Sequence, residues 1–282
     1  MLRLVAKAAG LAVLLLGLGA GALKAQDGPK RSIVHVAGDL YRFQNNFHFS
    51  VFLVTGEGVI VADPINADTA KWLKAEIRSR FNQPVRYVIY SHDHADHISG
   101  GEVFADSAIF VAQDKAKAKI AAAGRTATPA ITFRDFMTIE LGGKRVELIF
   151  PGPSHSDNLI VMRFPDERAL FVVDVASVKR LPYRTLGDYH FPEAITALER
   201  IETIDFDILV PGHGPMGTRQ DVSDHKGYLE DAYAAVREAK ASGMSLRQAQ
   251  ASIKLEKYKD WTQYDAWRNE NIEGLWRHDR SR

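Results

Sequence analysis

Seven consecutive residues, Ser91-His92-Asp93-His94-Ala95-Asp96-His97, hold three imidazoles and two carboxylates, and they directly follow the apolar stretch 85–90. Borderline-soft nitrogen and oxygen donors at that density read as a metal site. Packing is a poor explanation for them, because a buried imidazole needs a partner for each ring nitrogen and three neighbours compete for the same ones. Three further positions repeat the layout. His155 stands just past the apolar run 146–150, Asp174 closes the run 169–173, and His213 follows 208–210 inside Pro211-Gly212-His213-Gly214-Pro215. In each case a predicted strand ends and a ligand-type side chain follows within a few residues, so one sheet edge would gather them all.

Taken in order, His92, His94, Asp96, His97, His155, Asp174 and His213 match a pattern that resembles the metallo-β-lactamase superfamily, over residues 33–215. All seven positions match, which is far more specific than any single motif. The resemblance implies an α/β fold, a four-layer αββα sandwich with a two-metal site at one edge. It also implies that His92, His94 and His155 hold one ion, that Asp96, His97 and His213 hold the other, and that Asp174 bridges. Asp63, after the strand 58–62, matches the family's early aspartate and would anchor the ligand loop from outside. Imidazole-rich ligation suits zinc, whereas the superfamily's iron oxidoreductases typically carry a carboxylate where this chain has His94. Two zinc ions are therefore expected.

Two divalent ions roughly 3.5–4 Å apart can share a hydroxide at neutral pH, because a bound water's pKa falls from 15.7 to about 7. That hydroxide is the expected nucleophile. With Asp96, Asp174 and the hydroxide counted against two ions, the centre keeps a formal charge of about +1 and favours a small anionic substrate. Asp96 is the candidate catalytic residue for delivering a proton to the leaving group, in competition with a metal-held water. The leading reading is a zinc-dependent hydrolase of a carbonyl-containing bond, a β-lactam or a lactone. Thioester, phosphodiester and sulfate-ester hydrolysis are alternatives within the superfamily. An iron-dependent oxidoreductase and an exported metal-binding accessory protein are alternatives from other classes. Asp174 stands where one lactamase subclass has cysteine, and Ser177 stands where the lactonases usually have tyrosine.

The elements that position these residues follow from hydrophobic periodicity. Short strands are predicted at 33–36 and 40–43, with a hairpin of 50–55 and 59–62 joined at Gly56-Glu57-Gly58. Helical spacing of apolar residues predicts helices over 67–81, 98–105, 114–123 and 192–204. This alternation argues for sheets covered on their outer faces by helices. After His213, three more helices are predicted at 221–240, 245–253 and 264–276. Their aromatic residues Tyr258, Trp261, Tyr264, Trp267 and Trp276 read as a packed face rather than a ligand platform. A domain over 30–282, with a C-terminal helical segment 221–282, accommodates all of this.

The substrate-facing candidates come from loops. The run 42–49, Arg-Phe-Gln-Asn-Asn-Phe-His-Phe, resembles in position the mobile loop that covers the site in related enzymes. His48 and His190 are candidates for reaching substrate, Lys179 and Arg180 for a carboxylate, and Tyr183 and Tyr189 for a developing oxyanion.

The chain of 282 residues carries 36 basic and 35 acidic side chains. Such a balance leaves no basic surface for nucleic acid. Arg3 and Lys7 precede the apolar run 8–23, which leads into Lys24-Ala25-Gln26, the layout of a secretory signal over 1–25. Its removal takes away Arg3, Lys7 and Lys24 and shifts the formal charge from +1 to −2. The run is short for a membrane span, so cleavage is expected to leave no stable membrane anchor. With no cysteine, disulfides and a lipoprotein anchor are excluded, and a periplasmic or secreted location is expected.

Overall fold

Turns at Gly38-Asp39, Asn46-Phe47 and Gly56-Glu57 fold the first part of the chain into an antiparallel meander. Its strands are β1 (Arg31–Ala37), β2 (Leu40–Asn45), β3 (His48–Thr55) and β4 (Gly58–Ala62). In the computed structural model, which describes residues 28–279, this meander continues into β5 (Val85–Ile89), β6 (Ile109–Gln113) and β7 (Ile131–Phe133). These three pair in parallel, giving a seven-stranded sheet in sequential order. The expected leader, 1–25, lies outside the described residues.

A parallel pair needs a crossover, and helices supply it. Helix α1 (Ala67–Phe81) links β4 to β5, the short α2 (Ala95–Ile98) follows β5, and α3 (Asp114–Ala123) links β6 to β7. Asn66 caps α1 by accepting the Thr69 N–H at 2.9 Å, and Asn82 ends it in the left-handed region. Between those ends Ala70, Leu73 and Ile77 recur at helical spacing and are buried against Phe52, Val59, Val61 and Val88 of the sheet.

The second sheet has five strands, in the order β12-β11-β10-β9-β8. They are β8 (Phe136–Leu141), β9 (Lys144–Ile149), β10 (Val161–Phe164), β11 (Ala169–Val172) and β12 (Ile208–Pro211). Helix α4 (Glu193–Glu202) is the crossover between the parallel pair β11 and β12. The remaining helices, α5 (Arg219–Ala241), α6 (Leu246–Ser252) and α7 (Tyr264–His278), complete the chain. Three apolar layers follow. Val51, Leu53, Ile60 and Ile89 meet Val146, Leu148, Met162 and Phe171 between the sheets. The α1 and α3 layer covers one outer face, and α4 to α7 cover the other through Leu198, Tyr228, Leu229, Ile272 and Leu275. The architecture is an αββα sandwich, as expected.

Two local expectations are corrected. The helix expected at 98–105 is instead α2 followed by a single 3-10 turn over Gly101–Phe104. Between them Gly100 adopts φ +85°, a conformation that reverses the chain and that side chains disfavour. The segment 42–49 is not a covering loop but the β2–β3 hairpin, with Asn45 paired to His48 and only Asn46 and Phe47 in the turn. The C-terminal aromatic residues pack as read from the sequence. Tyr258 and Tyr264 are buried, with Trp261, Trp267 and Trp276 against the same cluster. Among the described residues no helix is long and apolar enough to cross a membrane.

Candidate metal centre

The carboxyl ends of β4, β5, β11 and β12 open onto one edge of the sandwich, where parallel strands characteristically deliver site residues. From β5 the chain enters Ser91 and His92, both buried. Their positions are fixed from three sides. The Ser91 N–H donates to Asp63 Oδ1 at 2.8 Å, and the Ser91 carbonyl accepts the Ile160 N–H at 2.8 Å. Ser91 Oγ lies 2.9 Å from His92 Nδ1 and occupies that ring nitrogen, leaving Nε2 to face the centre. Asp63 is itself buried at φ +27° just past β4. Burial pushes its carboxyl up to about 6, against the opposing pull of His97 and of the Ser91 donors. It acts on the loop through the Ser91 N–H.

Helix α2 turns His97 inward, and the His155 loop closes from the other sheet. Asn158, buried, ties the two loops together. Its Oδ1 accepts the Asp93 N–H at 3.0 Å, and its Nδ2 donates to Asp93 Oδ1 at 2.6 Å. Asn158→Ala is expected to lower stability by about 1–3 kcal/mol, because the partners of a buried amide are left unpaired. The same change should weaken metal binding roughly 10–100-fold, the usual cost of losing a group that orients ligands. Thermal unfolding and a chelator competition check the two effects separately.

Asp174 lies at the middle of the cluster. Its Oδ1 is 3.1 Å from His213 Nε2, while its Oδ2 is 3.1 Å from His97 Nε2, 3.4 Å from His155 Nε2 and 3.6 Å from His92 Nε2. Burial opposes its ionisation, but His97, His155 and His213 reverse that and hold it well below the usual carboxylate range. The residue is placed by its backbone at φ +57°, and its carbonyl accepts the buried Tyr189 hydroxyl at 2.8 Å. His155 Nε2 also lies 3.0 Å from His94 Nδ1.

His213 is held by its own loop and by the β2–β3 hairpin. Its Nδ1 lies 2.9 Å from the Phe47 carbonyl. Arg42, buried and 3.7 Å over the Phe49 ring, donates from Nη2 to the carbonyls of Pro211 at 3.1 Å and Gly214 at 2.5 Å. Its charge is expensive to bury, and burial draws its pKa down to about 10.

Two quartets result. One donor atom from each of His92, His94, His155 and Asp174 lies within 4.8 Å of the other three, and the same holds for His48, Asp96, His97 and His213. The buried His92 Nε2 has no hydrogen-bond partner, and His97 Nε2 has only the Asp174 carboxylate before it, at 3.1 Å. A buried imidazole nitrogen in the state of His92 Nε2 is costly without a ligand. An orphaned nitrogen, neighbouring carboxylates and imidazole-rich donors together fit divalent metal.

All seven residues of the sequence pattern converge, and Asp63 lies directly behind them. His48 joins the second quartet, with Nε2 3.3 Å from Asp96 Oδ2. Burial of Asp96 opposes its ionisation, but His48 and His97 overcome this and bring it to about 2. Beside the cluster is a cavity of about 390 Å³, lined by His94, Asp96, Ile98, Arg125, Thr126 and Asp188 among others. Lys179, Tyr183 and His190 are not among its lining residues. Each of the three is exposed, and Tyr183 stacks edge-on against Trp267 at 5.2 Å. Arg180 also lies over Trp267, at 4.8 Å. Tyr189 is not free for an oxyanion, because its hydroxyl is committed to the Asp174 carbonyl.

Sequence reasoning passed over Arg42, Asn158 and Arg125. The first two act through long-range backbone contacts that no spacing announces. Arg125 follows Gly124, the left-handed end of α3, and that helix stop was the available signal.

Residues 45–213 match the family model described as the metallo-beta-lactamase superfamily. The chain is 28% identical over 172 residues to the 2,4-dinitroanisole O-demethylase subunit alpha of Nocardioides sp. (strain JS1661), covering 58% of this chain and 52% of that one. It is 27% identical over 173 residues to the metallo-beta-lactamase type 2 of Bacillus cereus, covering 59% and 67% respectively. With the linear primary-alkylsulfatase of Pseudomonas sp. (strain ATCC 19151) it shares 23% identity over 235 residues, 64% of this chain and 44% of that one. The match thus spans about half the length of the demethylase subunit and less of the sulfatase. In fold, the chain is similar to the metallo-beta-lactamase from Pontibacter korlensis, with a TM-score of 0.64, 22% identity, and 70% of this chain and 98% of that one covered.

Proposed function

Because the chain belongs to the metallo-beta-lactamase superfamily, we propose that it is a zinc-dependent hydrolase whose two quartets each hold one ion. The observation that carries this reading is Asp174, whose Oδ1 lies 3.1 Å from His213 of the second quartet while its Oδ2 lies between His97 of the second, at 3.1 Å, and His155 and His92 of the first, at 3.4 and 3.6 Å. His92, His94 and His155 would hold one ion, Asp96, His97 and His213 would hold the other, and Asp174 is positioned to serve both. Two ions held there supply Lewis acidity and lower the pKa of water towards neutrality.

The chain's own groups supply the rest. Asp63, Ser91 and Asn158 fix the ligand loops, so that little reorganisation is needed when substrate arrives. Asp96 lines the cavity with its carboxylate more than half exposed, and, held ionised, it would accept a proton at the centre and pass it on to a leaving group rather than store it. The cavity's volume lies within the usual range for a small-molecule pocket.

Arg125 is the one arginine or lysine among the described residues lining the cavity, which also include the carboxylates Asp93, Asp96 and Asp188. Asp93 is already tied to Asn158. We therefore assign Arg125 to the anionic group of a small substrate. Arg125→Ala is expected to raise KM for an anionic substrate about tenfold with little change in kcat, and to leave a neutral analogue unaffected.

A β-lactam or lactone is the leading substrate class. Sulfate esters form the second reading, because the match to the alkylsulfatase covers more of this chain than the match to the Bacillus lactamase. The test is a hydrolysis panel with the zinc-loaded protein, covering β-lactams, lactones, thioesters, phosphodiesters and alkyl sulfates. Turnover that disappears in Asp96→Ala while the fold is retained supports the enzyme. An absence of turnover on every class removes it and leaves an accessory metal-binding role. A periplasmic or secreted location is part of the same proposal, and what supports it is the signal-like layout of the sequence over 1–25.

A further inference from the structure

His48 opens β3 and pairs with Asn45 across the tip of the hairpin, so a strand rather than a loose loop carries its ring. That ring lies edge-on to two others, with centroids 4.8 Å from His213 and 5.6 Å from His97. Its Nε2 is 3.3 Å from Asp96 Oδ2, and it shares the 4.8 Å neighbourhood of Asp96, His97 and His213. With His48 included, each half of the centre has three imidazoles and a share of Asp174, and the second half has Asp96 besides. Without it, the second half has two imidazoles, Asp96 and a share of Asp174.

Resting on the two-ion reading, we propose that His48 is a direct protein ligand of the second ion, joining Asp96, His97, His213 and the shared Asp174. The competing role for His48 is a hydrogen bond donated to Asp96 from outside the coordination sphere. The two roles differ in what a substitution does. An outer hydrogen-bonding partner costs roughly 10–100-fold in metal affinity. A lost ligand costs more, and another hydrogen-bond donor does not repair it. The hairpin tip is also tied to His213, whose Nδ1 lies 2.9 Å from the Phe47 carbonyl.

Cobalt is the probe, because its visible absorption reports on coordination. The full chain, stripped and titrated with Co²⁺ under chelator competition, is compared with His48→Ala and His48→Gln, with the fold of each metal-free variant checked by circular dichroism. The parent is expected to take two ions. His48→Ala should bind the first as the parent does and the second on the order of a hundredfold or more weakly, with a changed spectrum for the second equivalent, and His48→Gln should not restore it. Parent-like second-ion binding in His48→Ala, or full restoration by His48→Gln, overturns the proposal. A parent that binds fewer than two ions overturns the two-ion reading instead. A crystal structure of the metal-loaded parent decides the matter even if the variants fail to fold. Coordination requires His48 nitrogen about 2.0–2.1 Å from an ion, and a distance beyond 3 Å contradicts it.

Discussion

Asp174→Ala is expected to lower kcat/KM at least about a thousandfold and to leave fewer than two ions bound per chain. No other side chain in the cluster faces both halves, with Oδ1 towards His213 and Oδ2 towards His97, His155 and His92. Removing it takes away a charge that four imidazoles share and the group that sets the spacing of the two donor sets. Asp174→Asn is expected to lose activity as well, because the amide keeps the shape but not the charge. Steady-state kinetics and metal analysis on the same samples check both variants. Turnover within tenfold of the parent in Asp174→Ala would show that the centre does not work through this carboxylate.

A second large effect is expected away from the ligands. Gly100 sits three residues after His97, and a Cβ added there would come within 2.3 Å of the Ala67 backbone nitrogen and 2.5 Å of the Ala67 Cα and the Asn66 carbonyl carbon. These are all backbone atoms at the capped start of α1, so no flexible side chain can yield. The conformation, φ +85°, adds its own penalty for any residue with a Cβ. Overpacking of about 1–3 kcal/mol and left-handed strain of about 1–2 kcal/mol together predict that Gly100→Ala loses about 3 kcal/mol of stability. Because the displaced segment carries His97, weaker metal binding should accompany the loss. Urea unfolding of the metal-free variant measures the first effect. A midpoint equal to that of the parent contradicts the packing described around α2.

The residues that could hold metal were legible because ligation requires particular side chains, and strand ends place them at recognisable points. The helix over 67–81 was legible for a similar reason, with Asn66, a regular apolar stripe and Asn82 all agreeing. The segment 98–105 was misread because its apolar residues fit a helix, and only the close approach of Gly100 to α1 breaks it. The hairpin carrying His48 was read as a covering loop, since its polar and aromatic alternation does not reveal which partner strand it joins. His48 itself looked like an isolated histidine because its neighbours in space lie 48 or more residues away along the chain. Arg42 and Asn158 were invisible for the same reason, as their partners are backbone and side-chain groups supplied by a distant loop. The cavity wall formed by Arg125 depends on where α3 stops relative to α2, a tertiary fact that spacing does not encode.

The central claim is that this cluster works as a pair of metal positions. It is tested most directly by stripping the protein with a chelator, adding zinc in measured equivalents and following hydrolysis of whichever substrate class the panel reveals. Activity should climb until two equivalents per chain are bound and then level off. Full activity in the stripped protein, or a plateau with no zinc taken up, would contradict it.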